Sequence, residues 1–157
     1  MECTVKGLKV NYEVCGQGEP VLLLHGWASS LQPWRPLMKL LSAKYQVIAG
    51  DFPGMGGSEE PKEPWDVDGF ADFVLAFLEQ FGVKKLSLVG HSYGGRIIIK
   101  LANRQLPFAI DKIVRQIKRK MNSKYDIMFN NHKKHVSKES FSHEYFNIKC
   151  PLSSTSG

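Results

Sequence analysis

Three short apolar runs set the strongest limit on what this chain can fold into: VLLL at 21–24, QVIAG at 46–50 and LSLVG at 86–90, each running into a glycine-containing turn. Runs of this kind fit strands buried on both faces of a parallel sheet, since a strand with one wet face alternates apolar and polar residues. That alternation occurs upstream, where Leu8, Val10, Tyr12 and Val14 are apolar and Lys9, Asn11 and Glu13 are polar, until the turn GQGEP ends it. It predicts a half-exposed strand. Helical segments separate the buried runs. In the clearest, Asp66 is placed as an N-cap, Phe70, Phe73, Val74, Phe77, Leu78 and Phe81 recur at helical spacing, and Gly82 stands where a C-terminal glycine belongs. That stripe reads as core packing. The alternation predicts an α/β fold, a mostly parallel sheet with flanking helices, whose ligand sites lie at the carboxyl ends of the strands.

A chain of 157 residues with 43% apolar and 23% charged residues is globular rather than disordered, and one domain is expected. The opening MECTVKGLKV lacks a signal-peptide stretch, and no run of ~18 apolar residues occurs, so a cytoplasmic protein without a membrane span is expected. Cys3, Cys15 and Cys150 are odd in number and far apart, which offers neither a disulfide framework nor a Cys-x-x-Cys motif. No metal or cofactor is expected. The net charge of +6 is unevenly spread: residues 1–106 hold 11 Lys+Arg and 11 Asp+Glu, residues 107–157 hold 10 and 4. The shift near Leu106 and Pro107 is the candidate boundary between a core, 1–106, and a basic C-terminal segment, 107–157.

Three motifs sit at predicted strand ends: HGW at 25–27, GDFPGMGGS at 50–58 and GHSYGG at 90–95. In the last, Gly90-His91-Ser92-Tyr93-Gly94 is a G-x-S-x-G sequence between a predicted strand and a predicted helix, YGGRIIIKLANRQ. A tight strand-to-helix turn holds its central residue in a strained conformation, and small flanking residues let the hydroxyl project from the sheet. The following helix aims its amino terminus, with its free N–H groups, at that hydroxyl, where an oxyanion would form.

Together these residues resemble the α/β-hydrolase family over about residues 4–114. VLLLHGWASSLQPW is similar to its third strand and oxyanion loop, VIAGDFPGMGGS to its fourth strand and following turn, and LSLVGHSYGG to its fifth strand and nucleophile elbow. The resemblance implies Ser92 as nucleophile and the backbone N–H groups of Trp27 and Tyr93 as the oxyanion hole. His25, Gly26, Asp51, Gly90, His91 and Gly94 then support the elbow and its loops, with Asp51 steadying the turn after the fourth strand. A serine rather than an aspartate in the elbow argues against the dehalogenase and epoxide-hydrolase branches; hydrolysis of esters, or of carbon-carbon bonds in diketone-like substrates, remains, and a small ester or related acyl substrate is the first expectation.

Family enzymes supply an acid after the seventh strand and a histidine after the eighth. Here AIDKIV at 109–114 resembles the start of a sixth strand and FNIKCP at 146–151 the entry to a seventh, so an incomplete fold is expected, with strands through about the sixth. The triad acid and histidine are then absent, and the isolated chain is expected to be weakly active or inactive. Asp111, Asp126, Glu139, Glu144, His132, His135 and His143 remain as sources of a surrogate pair such as Asp126 and His143. The alternative function is a silent, hydrolase-like fragment or binding module that needs a partner. A sheet ending early leaves an uncovered edge and predicts self-association. Residues 110–121 also fit a basic amphipathic helix, but without interleaved aromatic residues no nucleic-acid partner is expected.

Overall fold

The computed structural model describes residues 1–119, 122–129 and 132–136, with side chains as far as residue 115. In chain order the elements are β1 (Glu2–Val5), β2 (Leu8–Cys15), β3 (Glu19–Leu24), a 3-10 turn over Gln32–Trp34, α1 (Arg35–Leu41), β4 (Tyr45–Gly50), α2 (Val67–Glu79), β5 (Lys85–His91), α3 (Tyr93–Ala102), β6 (Ala109–Arg119), β7 (Asn122–Phe129) and β8 (His132–Val136). The strands form one sheet in the order β1-β2-β4-β3-β5-β6-β7-β8. Its four central strands, β4, β3, β5 and β6, are parallel, and antiparallel strands flank them on both sides.

The short apolar runs are buried on both faces because successive strand residues point to opposite sides. Leu22, Leu24, Ile48, Leu86 and Leu88 join α2 and α3 in one core, built also from Phe70, Phe73, Val74, Phe77, Ile97, Ile98 and Leu101. Val21, Leu23, Val47, Ala49 and Val89 join Met38 and Leu41 of α1 in a second core on the other face. The sheet is therefore the middle of three layers. Asp66 caps α2 by accepting from the Gly69 N–H at 2.9 Å, and Gly82 beyond its end has φ +57°, the left-handed backbone expected of a glycine there. Arg104 pairs with Asp68 and Asp72, and Lys100 with Asp68, which ties α3 to α2 at their exposed ends.

Residues 109–119 form a strand, not the amphipathic helix that their spacing also allowed. Adjacent Ile113 and Val114 enter opposite cores, as a doubly buried strand requires. β6 pairs with β5 beyond the composition boundary at 106, so the sheet continues across it. The expected open edge at the sixth strand is closed, because β7 pairs with β6 and β8 with β7. The FNIKCP segment lies outside the described residues. No described helix is long and apolar enough to cross a membrane.

Leu88 is fully buried in the α2 and α3 core, whereas Ile99 is 37% exposed. Leu88→Ala is expected to lower the unfolding free energy by about 2–5 kcal/mol and Ile99→Ala to change it by less than about 0.5 kcal/mol. Urea denaturation followed by circular dichroism reads both, and equal effects would contradict the layer assignment.

Candidate functional site

β5 ends at His91 and α3 begins at Tyr93, leaving Ser92 alone between strand and helix. Its backbone sits at φ +52° and ψ −109°, a conformation an L-residue adopts only under constraint from its surroundings. The constraint is the close approach of α3 to the strands. A Cβ on Gly94 would overlap the carbonyl oxygens of Leu24 and His25, and one on Gly90 would stand 2.6 Å from the Ile98 Cδ1 and 2.7 Å from the Gly95 nitrogen. Glycine at both positions lets the helix start directly over the sheet. Ser92 is exposed, and its side chain makes no capping bond to the helix.

β3 lies beside β5 with Leu24 opposite Gly90, so the HGW loop leaves the sheet next to the elbow. Gly26 is buried against it: a Cβ there would stand 3.0 Å from His91 Nδ1 and 3.4 Å from Ser92 Cβ. His91 is half-buried, with its ring on the Gly26 side. Trp27 is 61% exposed, and its indole meets the Tyr93 ring edge-on at 5.1 Å. The two residues expected to supply oxyanion N–H groups are thus brought together by a ring contact as well as by strand order. Burial pushes the Tyr93 phenol above its ordinary range and the nearby Asp66 carboxylate adds to this, so it stays neutral.

Asp51 and His25 hold the loops around Ser92 and are both 2% exposed. Asp51 Oδ1 accepts from the Leu31 N–H at 2.6 Å, while Oδ2 accepts from Asn11 Nδ2 and the Gly57 N–H, each at 2.8 Å. One carboxylate therefore joins the loop after β3, the loop after β4 and strand β2. His25 Nε2 accepts from the Phe52 N–H at 2.9 Å, so its proton is on Nδ1 and is donated to the Gly26 carbonyl at 2.7 Å. Burial holds its pKa below the ordinary 6.5, against the opposing pull of the Gly26 carbonyl and Asp51. A neutral imidazole with both nitrogens engaged is a loop brace, not a base.

Of the other sequence candidates, Asp111, Asp126, His132 and His135 fall within the described residues. Asp111 pairs with Lys85 at 3.0 Å, at the start of β5 and roughly 20 Å along the strand from Ser92. Asp126 stands opposite Arg115 on one side and His135 on the other in the ladder, which places His135 three strands, about 14 Å, from Gly90. Asp126 is thus opposite His135 in register, and His143, Glu139 and Glu144 lie outside the described residues. Among the described residues no cluster of His, Cys, Asp or Glu fits a metal ion.

Two features escaped the sequence reading. Ala28, next to Trp27, has φ +52°, a second constrained residue beside the elbow. Phe70, read as core alone, also meets Trp27 at 6.1 Å and Tyr93 at 5.6 Å, and Phe52 meets Phe70 at 5.7 Å. Four segments distant in sequence converge there, and only the tertiary fold reveals it.

Residues 19–116 match the model of the alpha/beta hydrolase fold family. The soluble epoxide hydrolase of Corynebacterium sp. (strain C12) is 34% identical over 122 residues, covering 74% of this chain and 43% of that protein. The crystal structure of epoxide hydrolase VrEH1 from Vigna radiata superposes with a TM-score of 0.69 at 27% identity, covering 73% of this chain and 37% of that one. The structure of Est816, described as an N-acyl homoserine lactone degrading enzyme, gives a TM-score of 0.69 at 26% identity over 74% of this chain and 44% of that one. The chain spans less than half the length of each.

Backbone strain at Ser92 makes Ser92→Gly the more stable variant, by about 1 kcal/mol, while Ser92→Ala, which keeps its Cβ, stays near the parent. Urea unfolding of the three proteins measures this, and a glycine variant less stable than the alanine one would remove the strain argument. For His25, an unfolded imidazole binds its proton more tightly than the folded one, so the unfolded chain holds more protons between the folded pKa and 6.5. Stability is therefore fully kept above about pH 6.5 and declines as pH falls through that value. A thermal-denaturation series at falling pH should show this decline in the parent and a shallower one in His25→Gln.

Proposed function

The chain belongs to the alpha/beta hydrolase fold family, and we propose that Ser92 is the nucleophile of an acyl hydrolase acting on a small ester or related acyl substrate. The observation that carries this reading is the backbone of Ser92, held at positive φ between a parallel strand and a helix amino terminus with its side chain exposed. No packing or capping role needs a strained serine there.

In the proposed reaction the Ser92 oxygen attacks the carbonyl carbon as a base takes its proton, and the carbonyl electrons move onto oxygen. The N–H groups of Trp27 and Tyr93 receive that charge, and the positive end of α3 supports them. Collapse of the adduct expels the alcohol, which regains the proton, and water then cleaves the acyl-serine by the same steps. Serine chemistry favours this over the epoxide reading that two of the similar proteins' names bring up. A serine that opens an epoxide is left as an ether, which water does not cleave, whereas attack on an ester leaves another ester.

A second reading, a catalytically silent module, draws on one observation. The histidines with described side chains are His25 and His91; His25 is held by Gly26 and Phe52, and the His91 ring lies on the Gly26 side. Loss of the base in a serine enzyme lowers turnover by about 10⁶.

Treatment of the 157-residue chain with a fluorophosphonate probe and with 4-nitrophenyl acetate separates the two. Slow covalent labelling that Ser92→Ala abolishes is expected, with little or no steady ester turnover. Sustained turnover that depends on Ser92 would show a working base, and a folded protein inert to the probe would leave only the silent module.

A further inference from the structure

We propose that the indole of Trp27 is the seat for a flat aromatic group on the substrate, a specificity that rests on reading Ser92 as the nucleophile. Of the large apolar side chains among the described residues, Trp27 is the one exposed at the elbow, at 61%; the other exposed ones among them, Met1 and Ile99, are not among the rings that meet there. An indole left in water carries a cost that a core position would have removed.

Its orientation is nevertheless fixed. The Trp27 ring stands nearly perpendicular to Tyr93, at 76° and 5.1 Å, and to Phe70, at 78° and 6.1 Å. Tyr93 and Phe70 meet at 88° and 5.6 Å, and both lean on buried Phe52, at 6.3 and 5.7 Å. The array is anchored in the core at Phe52 and Phe70 and open to solvent at Trp27. Rings arranged edge to face present one further ring with the contact that aromatic quadrupoles prefer, whereas an alkyl chain gains only the buried area. Tyr93 follows Ser92 in sequence, and a Cβ on Gly26, the residue before Trp27, would stand 3.4 Å from the Ser92 Cβ, so the Trp27 backbone leaves the sheet next to the exposed serine.

The test is equilibrium binding to Ser92→Ala, where no chemistry intervenes. Benzyl acetate is expected to bind about three- to tenfold tighter than hexyl acetate, with intermolecular nuclear Overhauser contacts from its ring protons to the Trp27 indole. Adding Trp27→Leu should remove the preference, and adding Trp27→Phe should keep most of it. Equal binding, no binding of either ester, a preference that survives Trp27→Leu, or tighter binding of acetylcholine, which would mark a seat for a cation, overturns the proposal. If the leucine variant does not fold, absence of the indole contacts in the Ser92→Ala protein overturns it instead. Because these readouts need no acylation, a chain that binds benzyl acetate at Trp27 but resists the fluorophosphonate keeps the aromatic seat and loses the nucleophile.

Discussion

The close approach of α3 to the ends of β3 and β5 determines the rest of this site. Helix and strand come so near that position 94 admits no side chain against the carbonyls of Leu24 and His25. A chain leaving β5 must then reverse into the helix within one residue, and Ser92 takes the positive-φ backbone that this reversal demands. Core packing supplies the force. Ile97, Ile98 and Leu101 are fully buried against the sheet, and their burial offsets strain of about 1–3 kcal/mol at one residue. The elbow's geometry is thus a property of the α3 and sheet interface more than of the turn.

The loops that face Ser92 are held by a different means. The loops after β3 and β4 have little regular structure, and their free N–H groups need acceptors. Asp51 gives one oxygen to Leu31 and the other to Asn11 and Gly57, and neutral His25 accepts from Phe52. A buried carboxylate is tolerable because both of its oxygens are used. These bonds fix where Trp27 leaves β3, and the ring contact with Tyr93 then ties the loop after β3 to the start of α3.

Legibility in the sequence followed burial. β3, β4 and β5 were plain because strands buried on both faces are written as continuous apolar runs, and the elbow because glycine is the one residue that admits such close approach. Residues 110–121 were ambiguous for the same reason. A doubly buried strand places neighbours such as Ile113 and Val114 side by side, and adjacent apolar residues also suit a helix face. β1 was missed because ECTV has a single fully buried residue and little alternation. β7 and β8 were missed because sequences such as NSKYDIMF and HKKHV mix charge with apolar residues. The aromatic array had no signal at all, since Trp27, Phe52, Phe70 and Tyr93 come from four separate motifs.

The antiparallel flank changes what the sheet's edge offers a partner. A parallel sheet that stopped at β6 would present a free ladder, yet the donors and acceptors on that side of β6 are engaged by β7 from Ile113 to Arg119. A strand added there would have to displace β7 and break those bonds. β8, the outer strand on that side among the described residues, is five residues long, which keeps the ladder it offers short. The opposite edge, β1, is four residues long, which limits the ladder it can extend. Within the described residues the sheet thus carries its open parallel edge nowhere, and association through backbone pairing must compete with contacts the chain already makes with itself.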